Sequence, residues 1–324
     1  MMKTLYSSRK SLIFCVLGLL ICGCVISDVT LGDPTRAPKH HSLAWSRDGK
    51  FLAIGGEEGI LFYDSNFYKI GHLPAKVGAI AWSPTQNILV TSQGDLIEVP
   101  SLITLKTNIG LSNGLSWSPD GSFIASAFSR SIKIWSIHEN DVSVSSTLNG
   151  DNTYWEDSLE WSPNQSFIAA VNTSGLIEIW DIKSSQLLLT LDLQTSDPLE
   201  RFVSWSPDGS KVVSFGLSNE VYIWDAVTGQ VIYSFQAGNP DQGLLSDIVW
   251  DPTGMYIATA NRKSLKLWNS TNGELIDQFD VEGTLYKLSY NPEGTRLTAI
   301  GTVQGEATIW MWDVQNHNLI DIES

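Results

Sequence analysis

The sequence predicts an all-β chain folded as a seven-bladed β-propeller with four antiparallel strands per blade. Three observations predict it. A turn phrase opening on an aromatic residue recurs seven times. A second phrase, an aromatic residue followed by Asp, Asn or Ser, follows six of the seven anchors. Eleven of the 13 tryptophans occupy these two positions, so the tryptophan excess belongs to the repeat.

The first phrase reads Trp45-Ser-Arg-Asp-Gly49, Trp82-Ser-Pro-Thr-Gln86, Trp117-Ser-Pro-Asp-Gly121, Trp161-Ser-Pro-Asn-Gln165, Trp205-Ser-Pro-Asp-Gly209, Trp250-Asp-Pro-Thr-Gly254 and Tyr290-Asn-Pro-Glu-Gly294. Successive anchors lie 37, 35, 44, 44, 45 and 40 residues apart. Pro presets φ at the second turn position and Gly takes the tight one, so each phrase is a turn between two strands. The apolar run before it ends in the anchor aromatic, as in Phe202-Val-Ser-Trp205. A buried-type strand follows, as in Tyr256-Ile-Ala-Thr-Ala260. The third strand alternates and carries the second phrase: Tyr63-Asp64, Trp135-Ser136, Trp180-Asp181, Trp224-Asp225, Trp268-Asn269 and Trp312-Asp313. The second repeat has lost it and reads Ile97-Glu98-Val99. A fourth strand follows another turn, as in Thr228-Gly-Gln-Val-Ile-Tyr-Ser-Phe235. Four strands per unit of about 40 residues, seven times over, is a propeller's signature. A blade apolar on both faces must bury each against a neighbour. Small residues let blades converge near the axis, and Trp fills the wider gap further out.

The Trp-Asp ending, the period and the turn phrase resemble the WD-repeat family over residues 40–324. The Trp-Ser-Pro-Asp-Gly phrase also resembles bacterial Tol-type propellers. The family's Gly-His pair appears at Gly71-His72, but its Asp before the third strand is missing. Those loops read Glu57-Glu58, Ser129-Arg130, Asn172-Thr173, Ser218-Asn219 and Arg262-Lys263. The family's Asp–His–Ser/Thr–Trp hydrogen-bond network is therefore expected to be absent, leaving apolar Trp packing to join the blades. The segment after Trp312-Asp313 supplies a fourth strand, so blade 7 is expected to come from the carboxy-terminal repeat alone. The alternative is an outer strand added by residues 25–31.

The amino-terminus reads as an export signal. Lys3, Arg9 and Lys10 precede an apolar run over 11–21. Eleven helical residues rise about 16 Å, half of a bilayer core. Charge, apolar run and small residues in that order define a signal segment. Ile21-Cys22-Gly23-Cys24 resembles a bacterial lipobox, which implies cleavage after residue 23 and lipidation of Cys24. The expected organisation is a signal peptide over 1–23, a tether over 24–39 and the propeller over 40–324. The protein is expected to be exported and membrane-anchored on the outer side of the cytoplasmic membrane, or secreted.

The three cysteines, Cys15, Cys22 and Cys24, leave the propeller without a disulfide or thiolate metal site. Its 35 acidic residues against 20 Lys and Arg give a net charge of −15, which repels nucleic-acid phosphate. No pair among His40, His41, His72, His138 and His317 has metal-ligand spacing. There is no phosphate loop and no nucleophile elbow. The pairs Glu57-Glu58 and Glu156-Asp157 read as solvated loop charge. Asn164, Asn172 and Asn269, each in a glycosylation sequon, read as turn residues. No catalytic residue, metal or cofactor is expected.

Propellers bind partners on the face built by the fourth-to-first and second-to-third strand connections. The first set lengthens before blades 4, 5 and 6, over 150–157, 194–201 and 238–245. Tyr154, Trp155, Glu156, Arg201, Leu244 and Leu245 are the candidate partner-binding residues. Trp155 reads either as a binding anchor or as a cap on the joint between blades 3 and 4. Trp310 alternates with Trp312 and reads as packing. The expected function is a monomeric, non-enzymatic platform for a protein or peptide. The alternative is an extracytoplasmic propeller enzyme or small-molecule binder, which requires His or carboxylates at the channel mouth.

Overall fold

The computed structural model describes residues 42–107, 109–112, 114–128, 130–138, 141–150, 154–193, 200–240, 243–316 and 318–320. The signal segment, Cys24, the tether and the alternative strand over 25–31 lie outside the described residues.

Seven four-stranded antiparallel sheets form the molecule. Blade 1 comprises β1 (Ser42–Trp45), β2 (Phe51–Gly56), β3 (Gly59–Asp64) and β4 (Lys69–Leu73); blade 2 comprises β5 (Ile80–Trp82), β6 (Ile88–Thr91), β7 (Leu96–Glu98) and β8 (Ile103–Lys106). Blade 3 comprises β9 (Leu115–Trp117), β10 (Phe123–Phe128), β11 (Ser131–His138) and β12 (Asp141–Asn149); blade 4 comprises β13 (Tyr154–Trp161), β14 (Phe167–Asn172), β15 (Ile177–Asp181) and β16 (Gln186–Leu191). Blade 5 comprises β17 (Glu200–Trp205), β18 (Lys211–Gly216), β19 (Glu220–Asp225) and β20 (Val231–Gln236); blade 6 comprises β21 (Leu245–Trp250), β22 (Tyr256–Asn261), β23 (Ser264–Asn269) and β24 (Leu275–Asp280). Blade 7 comprises β25 (Thr284–Tyr290), β26 (Arg296–Val303), β27 (Glu306–Asp313) and β28 (Asn318–Leu319). The last blade is thus completed by the carboxy-terminal repeat, as the sequence predicts, although its fourth strand has only two residues.

The turn phrase folds by its own chemistry. Ser46 Oγ donates to Asp48 Oδ1 at 2.8 Å and accepts the amide of Phe51 at 2.9 Å. Ser118, Ser162 and Ser206 repeat both bonds. Where Ser is replaced, the Asp251 carboxylate and the Asn291 amide oxygen accept the equivalent amides of Tyr256 and Arg296. Gly209, with φ 69°, adopts the left-handed conformation that ends the turn, and glycine reaches it without strain.

The joint between blades is built from the anchor Trp. Trp82, Trp117 and Trp205 donate their indole N–H to the carbonyls of Ala44, Ala81 and Glu160, each the residue before the preceding blade's anchor. Trp82, Trp205 and Trp161 also stack on the first residue of the previous blade's second strand, which is Phe51, Phe167 and Phe123 respectively, with interplanar angles of 16°, 18° and 20°. The indole N–H groups of Trp161 and Trp250 are buried without a partner. Burying a Trp contributes roughly 4–6 kcal/mol of gross transfer free energy, before conformational entropy is counted.

The expectation that buried hydrogen bonds give way to apolar packing needs correction. The hydroxyl half of the network persists in two blades: Trp224 donates to Ser214 Oγ and Trp268 to Thr259 Oγ1, both at 2.9 Å. In blade 4 the matching position is Ala170, paired in register with Glu178. There Glu178 Oε2 accepts the Trp180 indole N–H at 3.2 Å instead. Leaving a buried donor unpaired costs free energy, and in blade 4 the acceptor comes from Glu178, two residues earlier on the same strand, in place of a hydroxyl on the neighbouring one.

The ring closes between blades 7 and 1. Trp45 donates to Thr298 Oγ1 at 3.2 Å, and Arg296 Nη1 donates to the Ser65 carbonyl at 2.6 Å. Ile300, Ile309 and Met311 of blade 7 share one apolar cluster with Trp45, Leu52 and Tyr63 of blade 1. Trp310 is buried in the cluster between blades 6 and 7, as packing.

Candidate functional site

Two regions carry polar or exposed groups in organised positions: the face of the fourth-to-first connections and the axial channel. On the first, the loop before blade 6 is pinned from blade 5. Asn219 is fully buried, with φ 58°. Its Nδ2 donates to the Gly243 carbonyl and its Oδ1 accepts the Leu245 amide, both at 2.8 Å. Its own carbonyl accepts the Ala237 amide at 3.0 Å. The loop therefore holds Leu244 in place with its side chain 40% exposed. Leu245 turns inward at 7% exposure and joins the core between blades 5 and 6, so its side chain packs and Leu244 alone of the pair faces out.

Tyr154 opens β13 with its backbone opposite Asn172, and the register shifts between it and Leu159. Arg201 falls at an irregularity between Glu200 and Phe202. Such bulges re-aim the chain at sheet ends. The side chains of Tyr154, Trp155, Glu156 and Arg201 lie outside the described residues, so the two readings of Trp155 stay as the sequence leaves them.

The channel encloses about 330 Å³ and is lined by first strands from all seven blades. Glu160, Asp247, Lys287 and Ser204 are its main polar walls. Register shifts directly before Asp247 and Lys287 accompany their position on the wall. The polar groups staple neighbouring blades, because a first strand has no inner strand to take its amides. Ser116 Oγ accepts the Trp161 amide at 2.9 Å, Glu160 Oε2 that of Trp205 at 2.8 Å, and Asp247 Oδ2 that of Leu288 at 2.7 Å. Lys287 Nζ lies 3.6 Å from Asp247 Oδ1 and 5.0 Å from the centre of the Phe202 ring. Burial pushes the Glu160 carboxyl up to about 7, against the opposing pull of the Trp205 amide and the Ser204 hydroxyl. Burial also raises Asp247, with Lys287 and the Leu288 amide opposing.

Sequence reasoning missed these channel groups. The carboxylates that the channel alternative requires are present, but among the described residues no histidine lines the cavity. Among the described residues, no three His, Cys, Asp or Glu side chains converge to hold a metal ion.

Comparison with known proteins agrees with this architecture. Residues 159–249 match the family model described as the anaphase-promoting complex subunit 4 WD40 domain, and residues 102–136 match the WD domain, G-beta repeat. No curated protein matches the chain in sequence. Among solved structures, a chain from the crystal structure of a mitotic checkpoint complex superposes with a TM-score of 0.71 at 17% identity, covering 95% of this chain and 99% of that one. The β-propeller domain of Myceliophteria thermophila Cps50 (Swd1) superposes with a TM-score of 0.70 at 15% identity, covering 89% and 99%. The fold is a seven-bladed β-propeller, and the family matches support a WD-repeat propeller.

Proposed function

We propose that the protein is a non-enzymatic binding platform for a protein or peptide, held outside the cytoplasmic membrane by lipid on Cys24. The observation that carries the platform reading is Leu244, an exposed aliphatic side chain on a loop that Asn219 fixes from the neighbouring blade. A rigid apolar anchor loses little entropy on binding and suits the centre of an interface. The similar propeller named above comes from a multi-protein assembly, which supports the class of function. The channel supports an enzyme less well, because the Glu160 and Asp247 carboxylates are each committed to a neighbouring blade's amide.

The test is crosslinking of the full chain in its native cell, followed by mass spectrometry of what it captures. Leu244→Asp should lose the captured protein while keeping the wild-type melting temperature. Undiminished capture by that variant would remove this surface from the reading. Intact-mass measurement reads the tether directly, since a mature chain beginning at a diacylated Cys24 has a distinct mass.

A further inference from the structure

The axial channel holds two carboxylates, and the repeat allows them to be compared. Asp247 stands three residues before the anchor of blade 6, and Lys287 stands at the same place in blade 7. The two meet at 3.6 Å, so this carboxylate is matched by an ammonium group from the next blade.

Glu160 is placed differently. It stands one residue before the anchor of blade 4, and the matching residue of blade 5 is Ser204. Its hydrogen-bond donors are the Trp205 amide and the Ser204 hydroxyl, both neutral. The ion pairs among the described residues are Lys50–Asp48, Lys76–Glu57 and Lys287–Asp247, and none includes Glu160. A carboxylate taken from water without a counter-charge is costly. Space for a counter-charge lies beside it. The channel's volume of about 330 Å³ falls within the roughly 300–1,000 Å³ of small-molecule sites. Where blades 6 and 7 bear Asp247 and Lys287, blades 1, 2 and 3 bear Ser42, Ala79 and Gly114. All five line the cavity, and the small ones leave its space unfilled.

We propose that the channel binds a small organic primary ammonium ion, with its nitrogen on the Glu160 carboxylate and its carbon chain in the space beside Ala79 and Gly114. The ligand does for Glu160 what Lys287 does for Asp247. A primary ammonium fits because it donates several hydrogen bonds, and Glu160 and Ser204 both offer acceptor oxygens. The inference does not rest on the platform reading, and Leu244 is not among the residues lining the cavity.

The experiment follows the Trp205 backbone amide, which donates to Glu160, by nuclear magnetic resonance in full-length protein carrying isotope-labelled tryptophan. Its loss in Trp205→Phe assigns the signal. The probes are n-butylammonium and its neutral counterpart n-butanol. The ammonium should shift the signal saturably, and the alcohol should not. Glu160→Gln keeps an acceptor for the Trp205 amide and should weaken the response about tenfold or more. Ala79→Leu leaves the carboxylate in place but fills the space, and should also abolish the response. The Trp312 indole, buried between blades 6 and 7, should not move. An unmoved Trp205 amide, an equal response to n-butanol, full binding by Glu160→Gln, or equal shifts at Trp312 would overturn the proposal. Arg201 lies on the neighbouring strand with its side chain outside the described residues, so Arg201→Ala is tested as well. Binding that arises only in that variant would mean that the chain supplies its own cation, and would also overturn the proposal. Capture through Leu244 is measured separately, so either reading can fail without the other.

Discussion

Glu160 of blade 4 and Asp208 of blade 5 are two carboxyl groups that respond to pH in opposite directions. The Ser206 hydroxyl and the Ser210 amide hold Asp208 below the ordinary carboxylate range, with burial opposing them. Its contribution is present above the unfolded value and is lost as pH falls. Glu160 binds its proton more tightly folded than unfolded, so its contribution is present at low pH and is lost as pH rises from 4.5 to about 7. Glu160→Gln should remove that decline and leave the variant more stable at pH 8 by roughly 2–3 kcal/mol, since the amide oxygen still accepts the Trp205 N–H. Denaturant unfolding at pH 5 and pH 8 measures it, and parallel pH profiles for variant and wild type would contradict it. Asp208 was legible as a turn residue because its partners lie within two positions. Glu160 was not, because the amide it serves is 45 residues away.

Among elements, strands were more legible than the contacts between them. Period-two alternation and turn chemistry locate the strands of a blade from local sequence alone. The pairing of third and fourth strands in blades 1 and 3–6 slips just before the third-strand aromatic, as between Ile179 and Trp180 or Ile223 and Trp224, and no residue type announces that slip. The loop before blade 6 was legible as long and polar, but its support was not. Ser218-Asn219 reads as a plain turn, whereas Asn219 ties that turn to Gly243 and Leu245. Asn219→Ala would strand a carbonyl and an amide and place a Cβ without a side-chain cap in left-handed conformation. The expected loss is about 2–3 kcal/mol, with faster hydrogen exchange at the Leu245 amide. Unchanged exchange at Leu245 would show that the loop is held by other contacts.

For the molecule as a whole, seven anchors and their spacing were enough to count the blades, and the tail after Trp312 was enough to place the end of the last one. The seal between first and last blades was not legible, because Trp45 and Thr298 are 253 residues apart. Trp45→Ala should cost about 3–5 kcal/mol by opening a cavity at the seal. It should lower the midpoint of a single calorimetric transition, since each blade buries its faces only against its neighbours. Two separated transitions would mean that the ring is a set of independent arcs. The seal has a further consequence. Each blade is drawn from one uninterrupted stretch of chain, so the inherited unit and the folded unit coincide. Copying or deleting one such stretch of a gene adds or removes a whole wedge and splits none. The 44-residue steps from Trp117 to Trp161 to Trp205 are the record such tandem copying would leave.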